Sequence, residues 1–273
     1  MLERNICPKG FLIKIKGWLK TNRNSHNPAI RLLVRTLYKI YAPIRMAKGL
    51  ISSKQKRAVF YTKLLRRNRV HQTTPATAMN RYPVIFSACK EYFKNRKDIK
   101  ILSFGCATGE EVITLRYYFP DATIIGAEVN KYCLEVCNRR RLDEKMIFID
   151  STDEEIASNG PYDAIFCMAV FQRTPEQITL DGVKNIKRIY PFAKFEKQVC
   201  KLDQQLNENG LLVVHYSQYD FADTRISGYY EAYGDYGQED YRCSVFDKNG
   251  HRIERPWKRH TIFVKLSEQS KYD

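Results

Sequence analysis

The chain lacks any long hydrophobic run. Lys and Arg interrupt every apolar stretch long enough to span a bilayer, and its start has neither the unbroken apolar core nor the small-residue cleavage site of a secretory signal. These absences predict a cytoplasmic protein that reaches the inner face of a membrane only peripherally. Disulfide-scaffold spacing is missing too. The eight cysteines (Cys7, Cys89, Cys106, Cys133, Cys137, Cys167, Cys200 and Cys243) are scattered, several of them inside expected strands or helices, which predicts free thiols in a reducing compartment. Cys133 and Cys137 share a helix face at i, i+4, but no Cys/His pair follows at zinc-ligand spacing, so no metal site is expected. Acids are scarce at the front. Residues 1–100 hold 24 of the 46 Lys and Arg but only 3 of the 30 Asp and Glu, so the net charge of +16 is concentrated there and the rest of the chain is mildly acidic. A front this basic, residues 1–70 above all, suits an anionic membrane surface or nucleic acid, or is a solvated face with no partner.

What is present is enough apolar residue, 44% of 273, for one ordinary core plus an appendage. Residues 10–20 ("GFLIKIKGWLK") place Phe11, Leu12, Ile15, Trp18 and Leu19 on one arc, the pattern of a short basic amphipathic helix. A second helix is expected from about 29 to 41, ending before Pro43, and a third over 54–69. From residue 98 short apolar runs alternate with amphipathic stretches. Strands are expected at 99–104, 122–128, 146–149, 163–170 and 211–216, with helices at 110–119, 131–141 and 192–206 between them. Such alternation predicts right-handed crossovers and a parallel sheet covered on both faces. The tail, with a turn signal at Lys248-Asn249-Gly250 and a strand over 260–266, predicts a hairpin at 242–256 or an antiparallel edge.

The segment "ILSFGCATGEE" (101–111) puts Gly105 and Gly109 in the turn after the first strand, where open parallel sheets bind ligands. A nucleoside-triphosphate loop needs Lys and then Ser or Thr after its last glycine, but Glu110 and Glu111 stand there. The dinucleotide frame needs glycine at 107 and 110, which are Ala107 and Glu110, and a carboxylate there would repel a pyrophosphate. S-adenosylmethionine carries no phosphate and bears sulfonium and ammonium cations, so acids beside its loop are tolerable. Acids in a helix's first turn also complement its dipole, whatever lies nearby. Glu128 closes the second strand, where an acid accepts hydrogen bonds from ribose hydroxyls.

With these features on one stretch, residues 99–216 resemble the class I, Rossmann-like S-adenosylmethionine-dependent methyltransferases, and "LSFGCATGEE" is most similar to the loop of the chemotaxis-receptor methyltransferases and related bacterial proteins. The resemblance implies an α/β fold, a doubly wound, mostly parallel seven-stranded sheet with an antiparallel C-terminal edge. Residues 1–95 would form a basic helical extension or cap, and 96–273 the methyltransferase domain. It implies that Ser103, Gly105, Cys106, Ala107 and Gly109 line the methionine end of the cofactor, and that Glu128 holds the ribose with Val129 and Asn130 near the adenine. Asp150, Ser151, Thr152 or Asp153 would flank the adenine ring, and Met168, Ala169 and Val170 would run beneath the cofactor. Phe171 to Arg173 would open toward the acceptor. Many family members carry an acid where this chain has Ser103, so recognition of the methionine amine falls to Glu110 or to water.

Methyl transfer from an activated donor chiefly needs positioning, and a hydroxyl acceptor is helped by a base whereas a carboxylate is not. His215, ending the fifth strand, is the candidate base, or else a satisfied core histidine. Arg173 is the candidate anchor for an anionic acceptor, or else a surface arginine. The tyrosine-rich stretch 228–241 is a lid or stacking surface, or a plain cover. The acceptor expected is a small molecule, a glycan or a lipid-linked compound. Protein or nucleic-acid methylation is the alternative, although no "NPPY"-type tetrapeptide follows the fourth strand, and a binding protein that keeps the fold without turnover is the third reading.

Overall fold

The computed structural model describes residues 17–19, 21–22, 25–254 and 258–267. Most of the amphipathic stretch at 10–20, and Cys7, lie outside the described residues; 17–19 are helical. The chain divides into two compact units, Met1–Arg57 and Ala58–Asp273. In the first, helix α1 (Pro28–Ser52) starts at Asn27, whose side chain accepts from the amides of Ala29 and Ile30, with Pro28 in its first turn. The sequence reading stops this helix before Pro43, yet it runs on to Ser52. A proline removes one backbone donor, and a helix of 25 residues stays bonded on both sides of that gap. No described helix is long and apolar enough to cross a membrane.

Helix α2 (Lys54–Leu65) bridges the unit boundary, and the second unit continues with α3 (Pro83–Tyr92), which the sequence reading did not anticipate. The alternating region follows as β1 (Lys100–Phe104), α4 (Glu110–Tyr118), β2 (Thr123–Glu128), α5 (Lys131–Arg139), β3 (Met146–Asp150), α6 (Asp153–Asn159) and β4 (Tyr162–Met168). Next come α7 (Pro175–Leu180), α8 (Phe192–Asp203), β5 (Leu206–His215), β6 (Tyr230–Ala232) and β7 (Ile262–Lys265). The sheet has seven strands in the order β3-β2-β1-β4-β5-β7-β6, with β1 to β5 parallel and β7 antiparallel to both β5 and β6. This is the doubly wound sheet with an antiparallel C-terminal edge. The hairpin expected at 242–256 does not extend it. A short hairpin does form around the turn at Gly250, with Phe246 opposite Arg252, the Asp247 amide donating to His251 O and the Ile253 amide to Val245 O. It stands outside the sheet, its outer edge bonding Ile186 and Lys184, and the tyrosine-rich stretch supplies the edge strand β6.

Helix α3, which falls within the stretch expected as the basic extension, shares the sheet's core. Ile85, Phe86, Ala88, Cys89 and Phe93 are buried with Ile101, Val112 and Leu115. The other face holds Leu102, Phe104, Ile125 and Phe195. The strand period of two thus sends Leu102 and Phe104 toward one face and Ile101 toward the other, and Ser103 goes with Ile101, toward α4. That parity decides which of the two acids opening α4 turns inward.

Candidate functional site

The strand order reverses between β1 and β4, and the residues that follow β1, β2, β3 and β4 line two adjoining cavities. The larger contains about 710 Å³ of empty space, open solvent at its mouth included. Gly105, Ala107, Glu128, Val129, Asn130, Ser151, Met168, Ala169 and Val170 line it, opposite Val59, Thr62 and Lys63 of α2 and the segment 69–76. The smaller cavity shares Gly105, Ala107 and Met168 and adds Cys106, Arg81, Tyr82, Phe86 and Glu111.

The glycine loop is built for close approach. Gly105 has φ +78°, and a Cβ there would stand 2.7 Å from Val170 Cγ2, so neither the conformation nor the space admits a side chain. The Gly105 and Cys106 amides donate to Ala127 O, tying the loop to the end of β2. Gly109, at φ +91°, opens α4 with Cys137 packed beneath it, and the Cys137 thiol donates to Ala107 O at 3.2 Å. Gly109 lines neither cavity; Cys137 packs α5 against the loop, and Cys133 is buried on the same helix.

Glu128 closes β2 as the spacing predicts. It is buried, with Oε2 accepting from the Ala107 amide at 2.9 Å and Oε1 from the Asn130 amide at 2.7 Å. Burial raises its pKa to about 7; the amides of Asn130, Ala107 and Val129 oppose that rise and Asp150 adds to it. Asn130 also caps α5, accepting from the amides of Tyr132 and Cys133. The four residues from Asp150 to Asp153 separate cleanly. Only Ser151 lines the cavity; Asp150 is held by Arg66 at 2.5 Å and Arg69 at 3.4 Å, Thr152 caps α6, and Asp153 pairs with Lys201.

The two acids at the start of α4 part company. Glu110 turns outward, paired with Arg140 and bonded to the Thr108 hydroxyl at 2.7 Å; burial would raise its pKa, but these bonds hold it below the ordinary value. The sequence reading assigned Glu110 to the cofactor, yet it lines neither cavity. Successive helical residues point about 100° apart, so the next acid faces the sheet. Glu111 lines the smaller cavity and accepts from the Ser103 hydroxyl at 2.7 Å. Burial pushes its pKa to about 8, against the opposing pull of Ser103 and Arg81. Ser103, fully buried, reaches the cavity only through this bond.

Arg81 and Tyr82 of the smaller cavity carried no motif in the sequence. The Arg81 guanidinium lies 5.1 Å over the Tyr82 ring, and the Tyr82 hydroxyl is buried without a hydrogen-bond partner. Burial raises the Tyr82 pKa well above the ordinary tyrosine value. His71, on the larger cavity, bonds through Nδ1 to the Tyr190 hydroxyl at 2.7 Å; burial, then Lys194 and Arg173, lowers its pKa to about 3, while Gln198 opposes, so it is neutral at pH 7. Neither sequence candidate for the acceptor side lines a cavity. His215 is buried, stacked on Tyr216 and bonded through Nδ1 to Thr261 Oγ1 at 3.1 Å, with its pKa lowered to about 4 chiefly by burial. Arg173 donates to Val70 O.

The sheet order, with its antiparallel last edge and its site at the β1/β4 switch, is that of the Rossmann-like class I methyltransferases, the class that draws its methyl group from S-adenosylmethionine. Residues 78–253 match the family model for a methyltransferase domain, and the chain belongs to that family. Among solved structures it is similar to the plantazolicin methyltransferase BpumL in complex with SAH, at 16% identity over 66% of this chain and 60% of that one, TM-score 0.36. It is also similar to the precorrin-6y C5,15-methyltransferase from Geobacter metallireducens GS-15, at 13% identity over 50% and 64%, TM-score 0.35. A putative caffeoyl-CoA O-methyltransferase from Staphylococcus aureus matches at 16% identity over 65% and 72%, TM-score 0.34. The chain spans less than two thirds of the first two of these structures. No curated protein sequence matches it.

Proposed function

We infer that the protein moves a methyl group from S-adenosylmethionine to a small molecule, a glycan or a lipid-linked compound. The observation that carries this reading is the chemical asymmetry of two cavities joined at Gly105, Ala107 and Met168. One end offers Glu128 as an acceptor for hydroxyls, with Ser151 and Asn130 beside it and Val170 and Met168 as apolar contact. The other end offers a carboxylate, Glu111, and a guanidinium, Arg81. A ribose and adenine suit the first; the ammonium and carboxylate of a methionine moiety suit the second. The fit extends to the backbone, because a Cβ at Gly105 would close the junction.

Bound there, the cofactor supplies an electrophilic methyl on sulfur, and the remaining work falls to the chain. Glu128 holds the ribose hydroxyls. Ser103 fixes the rotamer of Glu111, and Glu111 and Arg81 hold the two charges of the amino-acid end. The segment 69–78 contributes to both cavities and screens them from water and from bulky acceptors. That cover favours a small acceptor over a folded protein or a nucleic-acid duplex. The Tyr82 hydroxyl, lacking an internal partner, is the group available to bond the acceptor or the methionine end.

The test incubates the protein with S-adenosylmethionine and separate panels of hydroxylated and carboxylated small molecules, glycans, lipid-linked sugars, peptides and RNA, and measures S-adenosylhomocysteine by mass spectrometry. Product with one of the first groups is expected. Product only with peptide or RNA would move the acceptor class, and none with any panel would leave a binding protein with this fold.

A further inference from the structure

Four cations gather where α2, the segment after it, the loop following β4 and the start of α8 come together. Lys194 Nζ donates to Arg67 O at 2.8 Å and to Val70 O at 2.7 Å, and Arg173 Nη2 donates to that same Val70 oxygen at 2.7 Å. An ammonium and a guanidinium nitrogen sharing one carbonyl stand no more than twice that distance apart. Like charges so close, in a half-buried setting, repel. Lys194 is lowered to about 8 by burial and then by Arg173 and Arg67; Lys63 is lowered by burial and then by Arg173. Arg173 is itself lowered by burial and by Arg67, with Tyr190 opposing.

The neighbouring arginines sharpen the contrast. Arg66 and Arg69 are answered by Asp150. Lys63, Arg67, Arg173 and Lys194 form no ion pair with an acid among the described residues. Mutually repelling charges with no acid beside them are unfavourable in the empty protein, and a dianion relieves them. Phosphoryl oxygens suit this set, since a guanidinium offers paired N–H donors and ammonium groups act as point charges. The cofactor does not supply that anion. Its one carboxylate belongs with Arg81 in the smaller cavity, whereas Lys63 and Val70 line the larger one and Arg173 and Lys194 meet behind it at the Val70 carbonyl.

The geometry points to a phosphate- or pyrophosphate-binding site formed by Lys63, Arg67, Arg173 and Lys194 that holds the phosphorylated part of the methyl acceptor. Anion binding stands independently of the methyltransferase reading; only its assignment to the acceptor rests on that reading. In such a site Arg173 would take the anchoring role expected from the sequence, through a cluster that the sequence did not display.

The test is calorimetric titration of the full chain with inorganic pyrophosphate, in parallel with S-adenosylhomocysteine. Arg67→Gln is the variant safest for folding, as its side chain is exposed, and Lys194→Gln removes the central charge. Saturable pyrophosphate binding by the wild type is expected, weakened about tenfold or more in each variant while S-adenosylhomocysteine binds equally to all three. Equal pyrophosphate affinity in wild type and Arg67→Gln, or no saturable binding at all, would overturn the proposal. So would retention on phosphatidylglycerol vesicles without binding of soluble pyrophosphate. Failure to bind S-adenosylhomocysteine, with pyrophosphate binding intact, would count against the cofactor reading alone.

Discussion

Glu111 and Glu110 are adjacent and chemically identical, yet only one faces the cavity. The selection follows from the parity of β1, which turns Ser103 toward α4, and from the helical step, which swings the first acid out to Arg140 and the second in to Ser103. The consequence is a pH signature. Glu111 has a folded-state pKa of about 8 against an ordinary 4.5, so ionising it destabilises the empty protein progressively as pH rises between those values. A cation in the smaller cavity favours the ionised form and offsets that cost. Binding of S-adenosylmethionine therefore strengthens between about pH 5.5 and 7.5, with release of protons to the buffer. Glu111→Gln should weaken binding about tenfold or more near neutrality and flatten this dependence, as read by calorimetry in buffers of different ionisation enthalpy. An unchanged slope in the variant would remove Glu111 from the amino-acid end of the site.

Elements were legible wherever burial left a periodic mark. The apolar runs at 99–104, 122–128 and 163–170 became β1, β2 and β4 because both faces of a parallel sheet are covered. Helix α3 also had its signal, Pro83 in the first turn with Ile85, Phe86, Cys89 and Phe93 at helical spacing, but it lay within a stretch dominated by its charge. Which residue of 150–153 meets the cavity was not legible, since it depends on Arg66 and Arg69, far away in sequence, claiming Asp150. Arg81 and Tyr82 left no pattern because a single turn before a helix has no period. The glycine loop itself was readable and makes a firm prediction. Gly105→Ala forces a residue with Cβ into φ +78° and against Val170, and should cost about 1–3 kcal/mol, seen as a lower thermal midpoint, with cofactor binding reduced as well. A variant as stable as the wild type would mean that the loop relaxes freely.

For the whole molecule, the uneven charge has a local pattern that composition could not display. Within the second unit, Arg66 and Arg69 pair with Asp150, and Lys63 and Arg67 act electrostatically on Arg173 and Lys194. The fold class, the antiparallel edge and the placement of Glu128 followed from strand alternation and loop spacing; the burial of α3 against the sheet's face did not, because its apolar stripe lies within a stretch that otherwise reads as solvated and basic. If the paired cavities hold S-adenosylmethionine with Glu128 on its ribose, removing that carboxylate weakens binding of the cofactor and nothing else. Titration of wild type and Glu128→Ala with S-adenosylmethionine, with ATP and NAD as controls, tests it most directly. One-site binding that the substitution weakens at least about tenfold, roughly 1.4 kcal/mol, is expected, with no binding of either control. Equal affinity in both proteins, or ATP or NAD binding as well as S-adenosylmethionine, would contradict it.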